Sequence, residues 1–218
     1  MSKTMNTEQF EESKAPAVSW GEASDMLAML AQIVNVVPDK TWVPSLVQAV
    51  SALDSEAPGC ERMKAYLAKH AKDSIDDLVQ DLAVDWTLAF RGMNPAHGPR
   101  PPYAGAWLAD DGTGVELMLA INSLYVEEGL GVSGNHLNRL DYIGVELEFM
   151  AHLVKRFAEE GTDELAKRIV DFEDRFILSW FFLFQKQVEE RCAIEFWKGY
   201  LELLAAALED IRKGLCSK

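Results

Sequence analysis

The chain has 218 residues and sets 35 Asp and Glu against 21 Lys and Arg, a formal charge of −14. That balance argues against nucleic-acid binding, which needs clustered cations for phosphate neutralisation, and favours a basic partner. Three distant cysteines, Cys60, Cys192 and Cys216, have no CxxC spacing and read as reduced thiols. No apolar run reaches the roughly 18 residues a membrane span needs. The opening stretch is polar and acidic, without a signal-peptide core, so the expected location is cytoplasmic, with no stable membrane insertion.

Residues 1–18 read as a flexible tail and 19–218 as one all-helical domain. Ser19 with Glu22 forms a capping box before a stripe of Met26, Leu27, Leu30, Ile33 and Val34. Pro38 stops that helix. Asp39 caps the next, whose stripe is Trp42, Val43, Leu46, Val47, Val50 and Leu53. Helices near 58–70 and 74–91 follow, the second carrying Ile75, Leu78, Leu82, Trp86 and Phe90.

From Gly92 the pattern breaks. The stretch GMNPAHGPRPPYAGAWLADDG holds four of the chain's eight prolines, and the expectation is a long loop with no helix in it. Its aromatics, Tyr103 and Trp107, need a surface to pack on, either the core or a partner. Thr113 and Glu116 suggest a second capping box, before a helix marked by Met118, Ile121 and Tyr125. The glycine-rich stretch 129–134 is a hinge that would permit domain swapping, so monomer and swapped dimer are both open. A patterned helix is expected over about 139–160, ended by Gly161, and two more near 163–187 and 190–213. The last keeps the seam Ile194, Trp197, Leu201, Leu204, Leu208 and Ile211. The total is about eight helices in one bundle.

On the 139–160 helix, a wheel at about 100° per residue leaves only Asp141, Glu148, His152, Lys155 and Glu159 for water. Glu146 falls inside the apolar arc. A carboxylate there must be bonded, paired or protonated, since burying it bare costs several kcal/mol. It is either a core Glu satisfied by a Tyr hydroxyl, a Trp indole or a helix terminus, or a group facing a ligand. The i,i+4 pair Glu148 and His152 superficially suggests a bundle metal site, but Glu-x-x-His, HExxH, GxSxG and the phosphate loop are all absent. Nothing assembles an enzyme, a cofactor site or a metal centre.

Three segments resemble the TorD/DmsD/NarJ family of redox-enzyme maturation chaperones. DLAVDWTLAFRGMNPAHGPRPPYAGAWL is similar to its helix, long loop and PPYxSxY-like stretch. NRLDYIGVELEFMAHL is similar to its E-P-x-D-H hallmark and the E-L-x-F-M that follows. FEDRFILSWFFLF with the aromatic last helix is similar to its C-terminal region. Pro101, Pro102 and Tyr103 match the loop; Asp141 falls on the hallmark Asp, and Glu146, Leu147, Phe149 and Met150 on E-L-x-F-M. The chain departs at Asn138 and Arg139 (Glu and Pro in the family), at Tyr142 (His), at Ala104 and Gly105, and at Phe176.

The resemblance implies an all-α chaperone without catalysis or cofactor. Its partner would be the precursor of a molybdopterin-containing oxidoreductase, met through its twin-arginine leader before cofactor insertion and export. The residues it points to are Pro101, Pro102, Tyr103, Trp107, Asn138, Arg139, Asp141, Tyr142 and Glu146, with Asp141 meeting a leader arginine. Asp141 could equally serve the helix dipole at the N-terminus. The alternatives are a helical adaptor for a folded partner, and a small-molecule or metal-binding protein working through Glu146 or the Glu148/His152 pair.

Overall fold

A computed structural model describes residues 19–92, 96–109, 114–131 and 139–216. Among them are ten α-helices and one π-helical turn, with no strand. The first four helices are α1 (Trp20–Asn35), α2 (Val43–Ala52), α3 (Cys60–Lys69) and α4 (Ile75–Arg91). Then come α5 (Ala104–Leu108), α6 (Val115–Glu127) and α7 (Ile143–Glu160). The chain ends in α8 (Asp163–Phe172), the π-turn (Glu173–Leu178), α9 (Ser179–Arg191) and α10 (Glu195–Cys216). The proposed tail, Thr113, Asn138 and the second half of the 129–134 hinge lie outside the described residues.

The centre is α7, which buries eleven of its eighteen residues against α1 on one side and α8 on the other. Buried bonds knit α1 to its neighbours. Ser24 Oγ donates to the Ala151 carbonyl at 2.9 Å and Tyr200 Oη to the Leu30 carbonyl at 2.8 Å. On the other flank α10 packs on α3 so closely that two backbones meet. A Cβ on Gly199 would stand 2.6 Å from the Gly59 carbonyl oxygen, and Gly59 itself has φ +77°, so only glycine serves at this crossing. Aromatic rings fill the space between α4, α9 and α10, with Phe90 edge-on to Phe184, Trp197 and Tyr200.

Helix ends follow local chemistry. Pro44 sits in the first turn of α2, and the Asp39 carboxylate accepts from the Thr41 and Trp42 amides ahead of it. Ser74 and Thr162 cap α4 and α8 with their hydroxyls. Ser19 occupies the N-cap of α1, but its side chain makes no capping bond, so that expected capping box does not form. Asp85, buried on α4, accepts the Ile194 amide at 2.7 Å just before α10 begins.

Two expectations are corrected. The Pro/Gly-rich stretch does contain a helix, the five-residue α5, because Pro101 and Pro102 precede it and remove no hydrogen bond from it. The helix expected near 163–187 is interrupted by the π-turn. Its extra residue turns Leu165, Ile169 and Phe172 on one side, and Phe176, Phe181 and Phe184 on the other, to the same core.

Candidate functional site

The residues marked by the sequence converge from two segments. Pro101–Leu108 lies across the turn that leads into α7. The Ala104 amide donates to the Asp141 carbonyl at 2.8 Å, and the Ile143 amide to the Pro102 carbonyl at 3.0 Å. Tyr103 and Tyr142 form an isolated antiparallel bridge, their rings 5.2 Å apart. These bonds make a clasp that holds the long loop on the start of the central helix.

Asp141 is its pin. Its carboxylate accepts from Arg139 Nε and Nη2, both at 2.9 Å, and from the Gly105 amide at 3.0 Å. A Cβ on Gly105 would stand 2.7 Å from Asp141 Oδ2 and 2.9 Å from the Gly114 Cα, so glycine lets α5, α6 and the pin meet at one point. Asp141 is fully buried. This corrects its assignment to the water-facing strip: α7 begins at Ile143, so Asp141 lies in the preceding turn, and a helical wheel does not describe it.

Tyr142 also faces inward. Its hydroxyl donates to the Val34 carbonyl at 2.8 Å, and Arg91 lies over its ring at 5.4 Å. Trp107 pins the loop from the far side, stacking on Trp180 at 5.9 Å and donating to the Pro101 carbonyl at 3.0 Å. Pro102 is buried, whereas Pro101, Tyr103 and Trp107 are half-buried. Arg139 is the outer member: its guanidinium covers Tyr103 at 5.5 Å, and its side chain is 45% exposed.

Glu146 lies one turn further along α7, fully buried, and neither oxygen has a hydrogen-bond partner. The bonded-core option therefore fails. Burial first, and then the Asp141 charge, push its carboxyl well above the usual range. Nearby Tyr125 is held far above the ordinary phenol value by its own burial and then by Glu146.

The Glu148/His152 pair separates. Glu148 accepts from Asn35 Nδ2 at 2.8 Å, while His152 Nε2 lies 3.5 Å from Glu128, which Arg156 and Arg168 also engage. Among the described residues, no group of three or more His, Cys, Asp or Glu could hold a metal ion. Nor is any described helix long and apolar enough to cross a membrane.

Beside the clasp, α6 turns an apolar face to water. Val115, Leu119 and Val126 share one side of it and are all exposed, Leu119 and Val126 at 61%, with Leu108 of α5 exposed where the two helices touch. In the sequence this helix is marked only by Met118, Ile121 and Tyr125, with no sign of the exposed face beside them.

The profile of the nitrate reductase delta subunit family matches residues 53–186, which include the clasp, α6 and α7. The chain belongs to that family. The match confirms the resemblance to redox-enzyme maturation proteins of the NarJ and TorD type. A crystal structure of a protein from Archaeoglobus fulgidus, assigned to redox enzyme maturation, superposes with a TM-score of 0.50. It covers 95% of this chain and 99% of that one at 18% identity, a likeness of fold. No curated protein matches the chain.

Proposed function

We propose that this chain is a cytoplasmic, non-catalytic chaperone that binds the precursor of a molybdopterin-containing oxidoreductase through its twin-arginine leader, before cofactor insertion and export. The carrying observation is the family match across a segment that pairs a clasp with an uncovered apolar face. A leader brings two arginines followed by an apolar stretch. Val115, Leu119 and Leu108 offer the apolar stretch a surface, and the acidity of the chain draws the arginines in.

The clasp supplies the arginine recognition in this reading. Arg139 holds Asp141 with two parallel bonds, as a client arginine would. A leader arginine reaches Asp141 by displacing Arg139, whose side chain is 45% exposed. Tyr103 then keeps a guanidinium over its ring whichever arginine is bound. Glu146 and Tyr142 support the site from below without touching the client.

The test is co-expression of the chain with candidate precursors from its own genome, followed by measurement of captured precursor and of molybdenum in the mature enzyme. The reading expects capture that is lost with Leu119→Glu and with replacement of the leader's arginine pair. Capture of a leaderless, folded subunit with equal strength would favour an adaptor instead.

A further inference from the structure

Away from the clasp, a groove of about 440 Å³ runs between α9 and α10. Leu178, Phe182, Ala205 and Ala206 form its apolar part, and Pro58 closes one side. Its volume lies within the ~300–1,000 Å³ of ordinary ligand clefts. Phe182 and its neighbour Leu183 are 55% and 60% exposed, two large apolar side chains in succession that no described residue covers. They stand outward because Trp180, Phe181 and Phe184 already fill the core side of α9.

The groove carries an excess of acid at both ends. At the end marked by Pro58 and Glu202, Arg62 alone receives three carboxylates: Glu189 at 2.9 Å, and Glu195 and Glu202 each at 2.5 Å. Lys198 also reaches Glu195, at 3.0 Å, so three acids share two cations and one negative charge is left over. At the opposite end Arg212 is engaged bidentately by Asp174. Glu209, also in the lining, is held by Lys213 in an exposed pair that contributes little and exchanges readily.

We infer that this groove is a second docking seat, for an amphipathic helix of the client that lays its apolar face on Phe182, Leu178 and Ala205 and sets a basic residue against Glu202 and Glu189. The inference rests on the chaperone reading and adds a contact separate from the leader surface. A second copy of this chain fits poorly: with 35 acidic residues against 21 basic ones, it would bring like charge to an already acidic end. Two seats on one chaperone would raise the effective concentration of each client segment for its own site.

The probe is a fluorescent synthetic helix of roughly fifteen residues, with leucines at i, i+3, i+4 and i+7 and two arginines at one end. A matched peptide carries glutamates in place of the arginines. Anisotropy titrations use the full chain, Phe182→Glu, Glu202→Lys and Leu119→Glu, with circular dichroism of each. Phe182 is 55% exposed and Glu202 partly so, and the circular dichroism of each variant establishes that it folds before its binding is read.

The inference expects the arginine peptide to bind the native chain, and at least ten-fold more weakly to Phe182→Glu and to Glu202→Lys. Leu119→Glu, which removes the leader surface, keeps the component of binding that Phe182→Glu removes, and the glutamate peptide binds at least ten-fold more weakly to the native chain. No binding to the native chain, or equal binding to native and Phe182→Glu, overturns it. So does a dimer in sedimentation that Phe182→Glu dissolves. Precursor capture separates the two ideas. Capture that survives Phe182→Glu and fails with Leu119→Glu leaves the chaperone reading standing and removes the second seat, while absence of capture by the native chain removes the reading itself.

Discussion

Replacing Glu173 by glutamine should make the protein more stable, by an amount that depends on pH in a calculable way. Glu173 opens the π-turn, is fully buried, and has no hydrogen-bond partner on either oxygen. Arg212 approaches no closer than 3.7 Å, because Asp174 takes both of its nitrogens. Burial, aided by Asp174 and opposed by Arg212, pushes the Glu173 carboxyl from 4.5 up to about 7. The unfolded chain releases this proton near pH 4.5, whereas the folded chain keeps it until about 7. Stability is therefore full below pH 4.5, falls as pH climbs to about 7, and is level above. At about 1.4 kcal/mol per pKa unit, the loss amounts to about 3 kcal/mol. Glu173→Gln keeps the shape and removes the titration. Urea unfolding of both proteins between pH 4.5 and 8 should give a stability difference that grows by about 3 kcal/mol in favour of the variant, levelling off above pH 7. Other buried carboxyls titrate equally in both proteins and cancel. A difference that stays constant across this range would refute the reasoning.

Three further outcomes are expected. Glu146→Gln should also stabilise the fold: the native carboxyl keeps its proton well above the usual range, so urea unfolding should show the variant gaining about 1.4 kcal/mol per pH unit over the acidic-to-neutral range. Gly105→Ala forces a methyl group between Asp141 and the Gly114 backbone and should cost about 1–3 kcal/mol in the same assay, with faster proteolysis of the 96–109 loop. Arg139→Ala leaves Asp141 open and should tighten leader binding several-fold by calorimetry while lowering stability slightly, whereas a weakened affinity would mean that Arg139 contacts the client itself.

How far the sequence spoke depended on whether a signal was local. The Leu82, Trp86 and Phe90 part of the α4 seam, the α10 seam from Trp197 to Ile211 and the cap at Gly161 rest on spacing along one helix and appear in the structure where the residues put them, whereas Ile75 at the start of α4 is 42% exposed. Glu146 was legible for the same reason, as one acid inside an apolar arc, although its lack of a hydrogen-bond partner among the described residues could be seen only in the assembled bundle. Asp141 was misplaced because its environment comes from Gly105 and Arg139 across a turn, which no periodicity encodes. Tyr142 shows the same limit: its hydroxyl bonds a carbonyl 108 positions away. The π-turn left no mark, since apolar residues continue through it at near-helical spacing. The exposed faces of α6 and α9 were hidden because leucine and phenylalanine read as core by default, and only the assembled bundle reveals which of them have no neighbour.

The central claim, that this chain receives a basic and apolar leader at the clasp and α6, is tested most directly by calorimetric titration with twin-arginine leader peptides from its own genome. The account predicts micromolar or tighter binding to at least one leader, weakened at least ten-fold by Leu119→Glu and by replacing the arginine pair. Absence of binding to every leader, or binding indifferent to both changes, would contradict it.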